Sequence, residues 1–384
     1  MPPILYLFAV ANLVIGTGAF ALSGILQPIA ESLGVSVSAA GQAMTAYALT
    51  SALIAPLLLV ATGRWPRRNA ILLALGLFAA GSIVSALAGS FAMLLAGRVL
   101  MGAGSMFTAL VAGLAVALAP PGQQGKALSL TFLGMSLSYV IGLPLGTWMG
   151  FHYGWQSPIW IVVACTMLTM LAMALMLPAT VSAGSASFAG ASQVFRQWPV
   201  LRVWLRSLLY FIAIFCVFAY IGPVMQALNP LTPTQLSLTL MVFGLSGVAG
   251  TISGGWASDK YGPLRCVRVQ LSLFSLAIFL VPWTLGSYPL TVLVFVVWGI
   301  CGFGMMAPQQ TRLATLAPTQ APLLFSLNSS MLYLGTALGA VIGGAALPLA
   351  GAAYLPWVGL PFALAALATL WPDFAGPRPR AAPP

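Results

Sequence analysis

Long apolar runs of about twenty residues alternate with short polar breaks along nearly the whole chain. Hydropathy, read with glycine, proline and charged breakers, gives twelve of them. They lie at roughly 4–26, 39–61, 69–88, 92–118, 127–150, 157–178, 204–226, 236–257, 266–285, 290–309, 322–346 and 353–371. A helix of about twenty residues reaches across a hydrocarbon core of about 30 Å. Inside that core the backbone must satisfy its own hydrogen bonds, so each run predicts a membrane-spanning helix. The chain therefore reads as an all-α integral membrane protein with twelve transmembrane helices.

Composition supports this reading. Of 384 residues, 60% are hydrophobic and only 4% charged, with a mean hydropathy of +1.03, far too little charge for a soluble domain of this size. The net charge of +11 does not point to nucleic acid, because the basic residues form no face and no aromatic platform interleaves them. They follow the even runs instead. Arg64, Arg67 and Arg68 follow run two and Lys126 follows run four. Arg196, Arg202 and Arg206 surround the break after run six, and Lys260, Arg265 and Arg268 follow run eight. Arg312 follows run ten, and Arg378 and Arg380 follow run twelve. Loops after odd runs carry neither Lys nor Arg. The positive-inside rule then makes every basic loop and both termini cytoplasmic, in a plasma membrane (bacterial inner membrane) protein. Only Arg98 falls outside this pattern, inside run four. Cys165, Cys216, Cys266 and Cys301 are far apart and His152 is the single histidine, in a short loop, so no metal centre or disulfide framework is expected. The start, "MPPILYLF", lacks the basic flank of a secretory signal, so the first run is expected to remain as a helix.

The longest connector, "PATVSAGSASFAGASQVFRQWP" (178–199), is rich in Ala, Ser and Gly and falls mid-chain. It divides the chain into an N-terminal six-helix bundle (1–180), a cytoplasmic linker (181–203) and a C-terminal six-helix bundle with a short tail (204–384). The halves repeat. Gly142, Gly146 and Gly150 recur as Gly335, Gly339 and Gly343 at an offset of 193; Pro28 recurs as Pro223 at 195; "GRWPRR" at 63 recurs as "DKYGPLR" at 259. A parallel duplication of this kind places two pseudo-symmetric bundles about an axis along the membrane normal.

Several stretches resemble a known family. These are "GTGAFALSGILQPIAESLGVSVSAAGQAMTAYAL" in the first half and "FAYIGP", "GTISGGWASDKYG" and "SLNSSMLYLGTALGAVIGG" in the second. Over essentially its whole length the chain is similar to major facilitator superfamily transporters. It most resembles the twelve-helix drug:proton antiporter branch, with its sugar-efflux and purine-efflux permeases. The resemblance implies the major facilitator fold and export of a small organic compound by alternating access, in exchange for protons. It implies no catalytic residue and no cofactor; the partners are a small-molecule substrate, the lipid bilayer and protons.

The family's loop motif between helices two and three, Gly-x-x-x-Asp-Arg-x-Gly-Arg-Arg/Lys, is matched by Arg64, Arg67 and Arg68. Gly63 stands where its Asp belongs and Pro66 where its second Gly belongs. The second copy keeps the acid, in Gly255, Asp259, Lys260, Gly262 and Arg265. The resemblance makes these loops a cytoplasmic gate, with Asp259 capping a helix or pairing with an arginine; the alternative is that they only anchor topology. Arg98, with Gly102, matches the helix-four Arg-x-x-x-Gly motif, which the family assigns to proton coupling. A guanidinium inside the bilayer is a functional candidate in its own right, although it could instead hold helices together through carbonyls. The ladders Gly142/Gly146/Gly150, with Pro144, and Gly335/Gly339/Gly343 predict close helix packing and a bend.

In this superfamily helices three, six, nine and twelve face outward. The strongly hydrogen-bonding side chains collect in the other runs: Asn12, Thr17, Gln42, Tyr47, Arg98, Tyr139, Tyr210, Tyr220, Asn328 and Tyr333. These form the expected substrate and coupling pathway, suited to a small amphiphilic or uncharged solute, with some of them, Asn328 especially, bridging helices instead. The acids are only three, Glu31 and Asp259 in loops and Asp373 in the tail, and Ala19 stands where the subgroup often carries Glu. Arginine does not release its proton at physiological pH. Three outcomes stay open: Asp259 serves coupling, the substrate carries the proton, or transport is uncoupled. An uncoupled facilitator or importer of the same fold is the alternative reading; nothing in the motifs supports an enzyme or sensor.

Overall fold

The computed structural model describes residues 2–120, 123–177, 197–316 and 321–370, all of them helix, turn or short connection. Among the described residues, eleven helical stretches are long and apolar enough to span a bilayer. Spans 1 to 6 are Ile4–Gly24, Val37–Ala61, Arg67–Ala86, Phe91–Leu118, Lys126–Tyr153 and Ser157–Met176. Spans 7 to 11 are Trp198–Phe218, Pro233–Tyr261, Pro263–Thr284, Tyr288–Leu316 and Leu327–Ala350. Span 12 is a shorter apolar helix, Ala352–Ala368. All twelve expected runs are thus present, in an all-α membrane fold of two six-helix bundles.

Several boundaries move. Span 7 starts at Trp198, so residues 198–203 of the expected linker are helical. Pro199 fits the first helical turn, where a missing N–H is harmless, and Val200, Val203 and Trp204 are buried against Leu313 and Leu324. Residues 181–196 of the linker lie outside the described residues, as do Asp373, Arg378 and Arg380. His152 belongs to the last turn of span 5 rather than to a loop, and its Nδ1 meets the Trp148 carbonyl at 2.8 Å. Asp259 likewise sits in the last turn of span 8, and Glu31 in a short helix, Leu26–Leu33.

The internal repeat extends to the breaks in the helices. Span 1 is followed by the short helix Leu26–Leu33 and span 7 by Ile221–Leu228, at the same offset of 195 as Pro28 and Pro223. Span 4 is interrupted at Ser105 and span 10 at Met305. Span 5 contains a π-helical turn at Ser138–Gly142, where the Leu143 N–H reaches back to the Ser138 carbonyl. Pro144 follows immediately, and its missing N–H frees a carbonyl that the wider turn accommodates. The sequence predicts a bend here; the structure places a π-turn at this point.

Within each half, spans 3 and 6 pack behind spans 1 and 4, and spans 9 and 12 behind spans 7 and 10. The halves meet along two lines, span 2 on span 11 and span 5 on span 8. Span 8 touches span 5 chiefly from the π-turn onward and far less over Gln124–Leu137. Twelve alternating spans put the loops after even spans at one end, the basic end; the opposite one is called the far end below.

Candidate functional site

The far end of the seam is a small knot of polar groups. Span 2 begins here, its first turn capped by Ser36, whose hydroxyl accepts from the Ala39 N–H. One turn on, the Ser38 hydroxyl donates across the seam to the Gly344 carbonyl of span 11. Gln42 Nε2 donates to the Tyr220 hydroxyl at 3.1 Å and to the Ala340 carbonyl at 3.4 Å. The Tyr220 hydroxyl has one proton to give, shared between the carbonyls of Ala340 at 3.0 Å and Ser38 at 3.3 Å. Tyr220 is fully buried. It fits because a Cβ at Gly41 or Gly344 would overlap its ring or hydroxyl. Beside it, Gly222 rests on the Gly24 carbonyl, so the ends of spans 1 and 7 also touch. Four side-chain hydrogen bonds between described residues join the halves in this knot.

Midway along the seam the contacts become aromatic. Phe20 of span 1 stacks on Tyr139 of span 5 at 4.9 Å and meets Phe215 and Phe218 of span 7, each at 6.1 Å. Tyr139 lies edge-on to Phe303 of span 10 at 4.9 Å and to Phe218 at 5.9 Å. Phe243 of span 8 joins Phe218 and Phe303. On the other seam line Tyr47 of span 2 lies edge-on to Tyr333 of span 11, with centroids 6.4 Å apart. Such edge-to-face pairs are worth roughly 0.5–1.5 kcal/mol each beyond their buried area. The π-turn sets Tyr139 at this point, and its hydroxyl has no hydrogen-bond partner among the described residues.

Other pathway candidates lie away from the seam. Arg98 is 2% exposed inside the N-terminal half, seven residues along span 4 from Phe91 rather than at its middle. Its Nη1 donates to the Gly18 carbonyl of span 1 at 2.7 Å and lies 3.9 Å from the Met101 sulfur. Its Nε–H has no partner among the described residues. Arg98 also lines a cavity of about 10 Å³ with Gly18, Ser85 and Ile159, room for about one water. The Tyr47 phenol lies within electrostatic reach of this guanidinium and of Tyr333. Asn12 bridges spans 1, 5 and 4: it donates to the Thr131 carbonyl at 2.9 Å and accepts from Thr108 at 3.2 Å. With Asn12 fully buried and satisfied there, it is a strut of the N-terminal bundle. Thr17 donates to its own helix at Leu13 and packs on Gly142. Tyr210 is buried in the C-terminal half against Phe211 and Phe274. Asn328, also buried, has an unpartnered Oδ1.

At the basic end the side-chain bonds of Arg68 and Arg206 and the ring contacts of Lys260 run within one half. Arg68 donates to the Ala174 carbonyl near the end of span 6, holding together two spans of the N-terminal half. Arg206, fully buried, donates from Nε to the Thr369 hydroxyl at 2.9 Å and from Nη1 to Gln309 at 3.4 Å, both in the C-terminal half. Lys260 sits over the rings of Trp256 at 4.8 Å and Tyr261 at 5.3 Å. Arg64 and Arg265 are exposed and Arg67 is buried. Asp259 is exposed and makes no hydrogen bond or ion pair among the described residues, so the expected cap or arginine contact is not formed here. It belongs to the C-terminal turn of a helix, where the dipole disfavours negative charge. Gly262 turns the chain with φ +85°, and Pro263 then opens span 9.

The two glycine ladders pack in different ways. Gly142 and Gly146 of span 5 face side chains of span 1, Thr17 and Ala21, and Gly150 faces Ile25 just beyond it. Gly335, Gly339 and Gly343 of span 11 face backbone carbonyls of span 7: Leu208, Ile212 and Cys216.

Sequence reasoning missed Phe20, Phe215, Phe218, Phe243 and Phe303. One signal was available: Phe211, Phe215 and Phe218 fall on one face of span 7 at spacings of four and three.

Comparison with known proteins places this geometry. A family profile described as Major Facilitator Superfamily matches residues 8–321 and again 207–384. The inner membrane transport protein YdhP of Escherichia coli K12 is 30% identical over 356 residues, covering 91% of this chain and 90% of that protein. The uncharacterized MFS-type transporter YbcL of Bacillus subtilis is 27% identical over 356 residues, covering 92% and 91%. Among solved structures, a bacterial homologue of the human lysosomal transporter Spinster superposes with TM-score 0.79 at 16% identity, over 97% of this chain and 96% of that one. The human organic anion transporter MFSD10 gives 0.71 at 20% identity, over 96% and 100%.

Proposed function

The chain belongs to the major facilitator superfamily, and from that premise we propose that it is a secondary transporter that exports a small amphiphilic organic solute by alternating access. The observation that carries this reading is the unequal seam: hydrogen-bonded across the halves at the far end and aromatic at its middle, while at the basic end the guanidinium bonds of Arg68 and Arg206 run within one half. Such a seam can open at one end only by closing at the other, since packed bundles move as bodies. The division follows the repeat, residues 1–180 and 204–384, with the linker between them on the cytoplasmic side together with both termini. On this reading the conformation described is open toward the cytoplasm, and the aromatic middle is the solute site, with Tyr47, Tyr139 and Tyr333 as its polar fixtures. Gln42 and Tyr220 are then gate residues, while Arg64, Arg67, Arg68, Asp259, Lys260 and Arg265 shape the cytoplasmic mouth. The reading carries no catalytic step.

The decisive experiment is solute flux in proteoliposomes with and without an imposed pH gradient, run beside Asp259→Asn. Gradient-driven export of an amphiphilic compound supports the antiporter form. Flux that ignores the gradient supports the second reading, an uncoupled facilitator. That alternative is kept because no carboxylate is buried in any described span: Glu31 and Asp259 are both exposed. No flux of any amphiphilic compound would remove both.

A further inference from the structure

We infer that a cleft at the far end of the N-terminal half binds a small primary ammonium compound, with the Glu31 carboxylate as its counter-charge. This site is separate from the seam and stands whether or not the seam carries solute.

Four observations carry it. First, there is room. The short helix Leu26–Leu33 and the turn joining spans 5 and 6 border a cleft of about 650 Å³, a volume suited to a small organic molecule. Every residue lining it belongs to the N-terminal half, so the cleft moves with that bundle.

Second, the polar groups on its walls are largely uncommitted. Gln27 Nε2 donates to Glu31 Oε1 at 2.8 Å, which steadies the carboxylate one turn along the helix. Glu31 Oε2 has no partner among the described residues, and neither the Ser32 hydroxyl nor the Gln156 amide makes a hydrogen bond among them. The walls thus offer several acceptor oxygens and a single negative charge.

Third, charge selects the ligand. Loops after odd spans carry neither Lys nor Arg, and Glu31 is their only acid. His152, next to the lining residue Phe151, is engaged with the carbonyl and ring of Trp148, and Arg98 lines a separate cavity. A lone carboxylate attracts a cation and repels an anion. One carboxylate is too few for calcium, which takes about six to eight oxygens. An ammonium group, by contrast, can give its three protons to Glu31, Ser32 and an amide oxygen. Phe151 and Trp155 complete the walls, and aromatic rings suit the apolar body of the ligand and add attraction for a cation.

Fourth, the other half repeats the backbone of this place without its chemistry. Glu31 corresponds, at the offset of 195, to Gln226, whose amide is closed on the Leu231 backbone by bonds of 2.9 and 3.2 Å. Gly154, at φ +86°, corresponds to Gly351, at φ +80°; Trp155 and Gln156 follow the first, and Ala352 and Ala353 the second. The scaffold therefore does not require an acid, an indole or a free amide here.

The test is equilibrium binding to the purified full chain in nanodiscs of phosphatidylcholine, whose headgroup has no N–H. The probes are 2-phenylethylammonium, its N,N,N-trimethyl form and 2-phenylethanol. The primary ammonium is expected to bind at least tenfold tighter than the alcohol and several-fold tighter than the trimethyl form. Glu31→Gln, an exposed change that keeps the shape of the side chain, should weaken the primary ammonium at least tenfold and leave the alcohol unchanged. Adding phosphatidylethanolamine to the nanodiscs separates two sources of the same group. If it weakens the free ammonium in the unmodified protein, the cleft takes a lipid headgroup; if binding is unchanged, it takes a dissolved amine. Equal binding of the ammonium to the unmodified protein and to Glu31→Gln, an alcohol or trimethyl form that binds as tightly, or no binding at all overturns the assignment. Each of those results leaves the transport reading of the seam untouched.

Discussion

The two ends of this molecule are held by opposite strategies. At the far end, Ser38 and Gln42 of one half bond to Tyr220, Ala340 and Gly344 of the other, and glycines at 41 and 344 make room for a whole tyrosine. At the basic end, the guanidinium contacts of Arg68 and Arg206 stiffen each half separately, and Lys260 rests on its own neighbours Trp256 and Tyr261. The difference teaches where motion can occur. Bonds that cross the seam must break for that end to open, whereas bonds inside a bundle travel with it. Neutral hydrogen bonds are suited to the first task, because each contributes about 0.5–1.5 kcal/mol net and can be exchanged for water.

The contrast can be broken most severely by locking the far end. With Gln42→Cys and Tyr220→Cys in a background free of the native cysteines, a reducible bifunctional thiol reagent should abolish transport, by more than tenfold, with recovery on reduction. A locked protein that still transports would mean the far end need not open. Next in size, Gly41→Leu puts a side chain where the Tyr220 ring lies, so the far end should fail to close. Thiol labelling of a cysteine at Ser38 should rise roughly fivefold or more, and transport should fall in parallel. Tyr220→Phe is milder. It removes the hydroxyl shared by three partners, worth about 1–3 kcal/mol, and should raise the same labelling several-fold while the protein stays folded.

How much of this could be read from sequence divides along the same line. The twelve crossings were legible because apolar length and the alternation of basic loops are one-dimensional signals. The glycine ladders were legible too, because a four-residue spacing fixes a helix face. The aromatic middle was not. In a membrane, lipid tails and protein interior are equally apolar, so hydropathy does not tell that Phe218 meets its partners across the seam while Phe132, also in a span, is exposed. Arg98 stands out as the one basic residue that departs from the alternation of basic loops, yet its distance from the seam depends on helix rotation, which a lone charge does not encode. Polarity alone puts Asn12 among the pathway candidates; its partners, Thr131 and Thr108, are about a hundred residues away in sequence, so their contacts do not show in it.

Smaller effects sharpen the other side of the comparison. Arg68→Ala removes the bond to the Ala174 carbonyl and should lower the thermal stability of the protein by about 1–2 kcal/mol, without changing labelling at the far end. If that labelling rises, the basic-end contacts do not act within one half. Lys260→Gln should do least, since a cation over rings at an exposed site is worth about 0.5–1 kcal/mol.

The central claim is that the halves rock about the seam, and paired distances test it most directly. Spin labels at exposed positions 31 and 234 report the far end, and labels at 64 and 265 report the basic end, in one protein reconstituted in lipid. As solute is added, the account predicts that the first distance lengthens while the second shortens. If both distances change in the same direction, or one end moves while the other stays fixed, the two bundles do not exchange one opening for the other.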